Sequence, residues 1–93
     1  MFVGVCTLEL YIFHAYSLKD KRQVIKSIID RLKSRYNISV AEVGQNDVWN
    51  KSEIGISCVS NSKSQINEVF NKIVDFIDND ERVEITNMEM EIW

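Results

Sequence analysis

The chain has 93 residues, of which 45% are hydrophobic and 27% charged, with a formal net charge of −3. That balance excludes a disordered chain and supplies enough apolar side chains for one core without disulfide staples. Proline is absent and glycine occurs three times, so no linker composition divides the chain, and residues 1–93 read as a single domain.

Residues 2–13 read as a strand. Cys6, Leu8, Leu10 and Ile12 alternate with Val5, Thr7, Glu9 and Tyr11, a period of two with one face clearly more apolar. Ser17-Leu18-Lys19-Asp20 then has the form of a capping box, with the Ser17 hydroxyl serving a free amide of the first turn and Asp20 reaching back. The helix that follows runs to about Tyr36. Its apolar stripe is Leu18, Ile25, Ile28, Ile29, Leu32 and Tyr36, and Asn37 is the expected stop because asparagine tolerates a left-handed backbone.

Residues 38–44 and 53–60 read as two more strands. The first sets Ile38, Val40 and Glu42 against Ala41 and Val43; the second sets Ile54, Ile56 and Cys58 against Gly55, Ser57 and Val59. The turn-rich stretch Gln45–Asn50 joins them as a hairpin. A second helix spans 63–78, opened by Ser62 and striped by Ile66, Val69, Phe70, Ile73 and Ile77, and residues 82–92 form the last strand. The order β-α-β-β-α-β with right-handed crossovers predicts an α+β, ferredoxin-like sandwich: a four-stranded antiparallel sheet with two helices on one face and the other face open.

The last strand changes phase. Val83 and Ile85 share one alternation, while Met88, Met90 and Ile92 share the other. Either a bulge near Thr86-Asn87 resets the pattern, or one group faces away from the helices. In the second case Met88 and Met90 would join Val5 and Tyr11 on an apolar open face, the kind of surface a second copy of the chain covers.

Charge is unevenly spread. Residues 19–35 carry a balance of +5 and the remainder −8. Lys19, Arg22, Lys26 and Lys33 fall on one helical stripe, with Lys21 close by. Such a stripe neutralises phosphates and positions a nucleic acid without reading its sequence; the plainer reading is a solvated helix face. Base stacking on the open sheet is rejected, because strand 53–60 has no aromatic residue and Glu9 would repel phosphate. Trp49, in the hairpin, either caps the core or anchors a partner.

Chemistry is sparse. His14 is the only histidine and Cys6 and Cys58 the only cysteines, with no spacing that fits a zinc site. No nucleophile elbow, P-loop or dinucleotide-binding glycine pattern is present. Glu42, Asp47 and Glu53 gather around the hairpin, the one place for a carboxylate pair. No catalytic residue, metal or cofactor is expected. The N-terminus lacks a basic leader, Glu9 interrupts its apolar run, and no uncharged run approaches the roughly 18 residues of a membrane span. With both cysteines in strands as reduced thiols, a cytoplasmic location is expected.

The segments Ser17-Leu18-Lys19-Asp20-Lys21-Arg22, Ser39-Val40-Ala41-Glu42-Val43, Asp47-Val48-Trp49, Glu53-Ile54-Gly55 and Val59-Ser60 together resemble the small bacterial YlxP-like proteins, across almost the whole chain. The chain departs from the commoner pattern at Gly44, where an acidic residue is frequent. The resemblance implies a ferredoxin-like fold, a domain of unknown function, and a gene placed among those for transcription termination and translation initiation factors. The expected function is a non-enzymatic accessory protein that touches RNA or the ribosome through Lys19, Lys21, Arg22, Lys26 and Lys33. The alternative is a homodimeric protein–protein module that uses the open sheet face, with Tyr11, Trp49, Met88 and Met90.

Overall fold

The computed structural model describes all of Met1–Trp93. The elements are β1 (Phe2–Ile12), α1 (Leu18–Arg35), β2 (Ser39–Gly44), β3 (Lys51–Ser60), α2 (Lys63–Asp78) and β4 (Val83–Ile92). The strands form one antiparallel sheet in the order β2-β3-β1-β4. This is the ferredoxin-like α+β architecture, with β1 and β3 central and β2 and β4 at the edges.

Period two decides which strand residues meet the helices. Cys6, Leu8, Leu10 and Ile12 of β1, with Ile54 and Ile56 of β3, are buried under Ile25, Ile28 and Leu32 of α1 and Ile66, Phe70, Ile73 and Ile77 of α2. Gly4 permits the closest approach: a methyl group there would lie 2.9 Å from the Phe70 ring and would also meet Ile66. Both helix starts are capped as their sequences require. The Ser17 hydroxyl accepts from the Asp20 amide at 3.1 Å, and the Tyr16 amide donates to the Asp20 carboxylate at 3.1 Å. Ser62 accepts from the Gln65 amide at 3.3 Å.

The end of α1 differs from the expectation for Asn37. The chain leaves the helix extended at Tyr36, with φ −131°, and the Tyr36 amide still donates to Leu32. The only residues with positive φ are His14 and Gln45, at 58° and 60°. Both lie in turns.

The phase change in β4 is a bulge. Glu9 pairs with Asn87 and Leu10 with Ile85, so Thr86 is the extra residue, and its hydroxyl donates to the Glu9 carbonyl at 3.3 Å. Beyond it Met88 pairs with Leu8 and Met90 with Cys6. Directly paired residues share a face, so both methionines lie on the helix side and do not join Val5 and Tyr11 on the open face. Met90 packs half-buried against the core; Met88, on an edge strand, stays exposed.

Candidate functional site

Lys21 is the first correction to the basic stripe. Its side chain is fully buried. From the core-facing side of α1 it donates to the carbonyls of Gln45, Asn46 and Lys51 at 2.8, 3.1 and 3.2 Å, and its ammonium lies 3.2 Å from the Glu42 carboxylate. Glu42 also accepts from the buried Ser52 hydroxyl at 2.5 Å. A buried ammonium is tolerable only when its donors are matched, and here every one is. Lys21 therefore fastens α1 to the β2–β3 loop and is removed from any phosphate-binding surface. The sequence carries the signal: Leu18, Lys21, Ile25, Ile28 and Leu32 are spaced 3, 4, 3 and 4, which puts Lys21 in the apolar stripe.

The remaining stripe is on the surface. Lys19, Arg22, Lys26 and Lys33 are all exposed, together with Arg31 and Arg35. Lys26 donates to Asp30 at 2.8 Å, and that bond holds its ammonium above its ordinary pKa. Arg35 lies over the Phe76 ring, 4.6 Å from its centre. Near the α2–β4 turn, Arg82 grips Asp80 through two bonds of 2.9 and 2.7 Å and reaches the Ser27 hydroxyl at 3.3 Å. The bonds from Arg82 hold the Asp80 carboxyl below its ordinary range, against the opposing effect of burial.

The open face of the sheet has the opposite sign. Glu9, Glu53, Glu84, Glu89 and Glu91 lie on it, since their partners include Tyr11, Thr7 and Val5 and, for Glu9 and Glu53, each other. Lys51, opposite Tyr11, is the one cation among them. Val5, Val43 and Val59 are exposed in the same layer. A second copy packed face to face would set these carboxylates against their own kind, an arrangement that costs stability. The carboxylates of the hairpin do not form a pair either. Glu42 pairs with Ile54 on the helix side, whereas Glu53 lies on the open face with its side chain over Gly44.

The aromatic residues at the loop end were not grouped by the sequence. The Ile12 amide donates to Asn50 at 2.9 Å, which sets the β1–α1 turn beside the β2–β3 loop. Phe13 and Tyr16 lie in the first, Trp49 in the second, and Tyr11 meets Phe13 edge to face at 5.3 Å. Tyr16 is 78% exposed and Trp49 46%, so Trp49 does not fold back fully onto the core. Trp93, paired with Val3 at the far end of β1, is also exposed.

His14 is exposed in its turn, and burial pushes the thiols of Cys6 and Cys58 above their ordinary pKa. No three His, Cys, Asp or Glu side chains converge as metal ligands. No helix is long and apolar enough to cross a membrane.

The architecture and this surface define a small ferredoxin-like protein with a basic first helix and an acidic open sheet face. The chain belongs to the family described as "Protein of unknown function (DUF503)", whose model matches residues 3–90. It is 36% identical over 84 residues to the uncharacterized protein YlxP of Bacillus subtilis (strain 168), covering 90% of this chain and 91% of that one. Among solved structures it is similar to the de novo designed protein Foldit4, with a TM-score of 0.55, 18% identity and coverage of 100% and 97%. That likeness concerns the fold alone.

Proposed function

We propose that this chain is a non-enzymatic binding protein that holds RNA, free or within a ribosome, along the exposed face of α1. The observation that carries the reading is the separation of charge between α1 and the open face of the sheet. Lys19, Arg22, Lys26 and Lys33 stand on the helix side, while five glutamates face outward from the sheet. A polyanion is drawn to the first surface and repelled by the second, whatever the net charge of −3. The raised thiols of Cys6 and Cys58 disfavour either as a nucleophile.

Phosphate neutralisation makes the reading testable. Binding of a single-stranded RNA to the wild-type chain should weaken about tenfold or more between about 50 and about 200 mM salt, as expected when three or four phosphates are contacted. Arg22→Glu/Lys26→Glu should weaken it for all sequences alike and flatten the salt dependence. Affinity unmoved by salt and by both charge reversals would refute the reading.

A further inference from the structure

We infer that the loop end of the sheet is a stacking platform for unpaired bases, centred on Trp49, so that the polymer held along α1 is single-stranded. The inference rests on the reading of α1 given above and adds to it the kind of nucleic acid and the residue that grips it.

Trp49 is exposed on a loop that is fastened from several sides. Lys21 holds the carbonyls of Gln45 and Asn46, the Val48 amide closes a turn on Gln45 at 3.1 Å, and the Asn50 carbonyl is held by the Ile12 amide. Tyr16 is similarly fixed, between the turn at His14 and its own amide bond to Asp20. Large aromatic rings displayed on rigid turns lose little conformational freedom when a partner stacks on them. Both rings keep apolar area in water that a stacked base would cover.

The partner's charge is set by the neighbours. Lys19 and Arg22 stand on the exposed side of the first turns of α1, the turns that Lys21 fastens to the loop, and Lys51 follows the loop in sequence. Of the nearby acids, Asp20 is occupied as a helix cap and Glu42 by Lys21 and Ser52, and Glu9, Glu53 and Glu84 face the open side of the sheet, which leaves Asp47 in the loop itself. Aromatic rings beside cations suit a strand whose bases are splayed out and whose phosphates run alongside. Paired bases are enclosed in their own stack and present no face to Trp49.

The test uses the full chain carrying Trp93→Phe, so that Trp49 is the only tryptophan reporting. An unstructured, dye-labelled RNA of about 12 nucleotides should quench its emission; by the anisotropy of the dye, which needs no tryptophan, the same sequence in a duplex should bind more weakly, and Trp49→Ala should cost about tenfold in affinity while Trp49→Phe retains most of it. A single-stranded DNA of the same sequence tells whether the sugar matters. Circular dichroism of Trp49→Ala, expected unchanged, controls for folding. If Trp49→Ala binds RNA as tightly as its parent with the salt dependence intact, phosphate contacts alone hold the strand; the platform is then overturned and the reading of α1 stands. Equal affinity for the duplex also overturns the platform. If the parent binds RNA but its Trp49 emission responds only to its own concentration, the platform alone falls; if the parent binds no RNA, both readings fall.

Discussion

The Lys21 ammonium, buried beneath the β2–β3 loop, lies 3.2 Å from the Glu42 carboxylate and is shared among three backbone carbonyls. Removing one partner of such a pair leaves the other charge, and the carbonyls, without a match. Lys21→Ala should therefore destabilise the fold by about 3–5 kcal/mol in urea titrations. Because the two residues share one network, Lys21→Ala combined with Glu42→Gln should cost less than the two changes added. A loss below about 1 kcal/mol would mean that the pair only fills space.

Gly4 and Gly55 separate packing from exposure. A methyl group at Gly4 meets Ile66 and the Phe70 ring in the core, whereas one at Gly55 meets the exposed side chain of Val43 at 2.9 Å. Gly4→Ala should cost about 1–3 kcal/mol, since buried neighbours must move. Gly55→Ala should cost well under half of that, because Val43 can turn into solvent. Thermal melts of the two variants, side by side, decide the matter.

The depressed Asp80 carboxyl ties stability to pH. Its folded pKa lies below the ordinary value, so the unfolded chain takes up the proton first. The contribution is full above the unfolded value of about 4 and fades as pH falls through the lower folded one. Asp80→Asn should lower the melting temperature at neutral pH and narrow its gap to wild type as pH is brought below about 4. A constant gap across that range would count against the Arg82 grip as its cause.

The two methionines of β4 should respond differently to charge. Met90 packs against the core and Met88 does not. Met90→Glu should cost about 1–3 kcal/mol of stability, the range for bringing an unmatched polar group into partly apolar surroundings. Met88→Glu should leave the denaturation midpoint nearly unchanged. Equal effects would mean that the strand beyond Thr86 is turned the other way.

Much of this molecule is legible in local patterns. The alternation in β1 and β3 and the Ser17 and Ser62 caps each follow from neighbours within a few positions, and all appear where those patterns place them. The bulge at Thr86 was one of two readings of a broken alternation, and only pairing with Glu9 and Leu10 decides between them. Lys21 was misplaced for a different reason. Its type says surface, its spacing says core, and the carbonyls that reconcile the two lie 24 to 30 residues away. The β1–α1 turn and the β2–β3 loop are likewise brought together by a bond between Ile12 and Asn50 that no local pattern announces.

The Thr86 bulge has one more consequence, for how these molecules treat one another. β4 is a sheet edge of 10 residues, long enough to serve as a template for a stray strand. A straight strand laid along it would keep step with residues 83–85 and lose step after Thr86, where Glu89 and Glu91 add repulsion from the open face. The kink that turns Met88 and Met90 toward the helices thus also spoils the edge as a seed for fibrils.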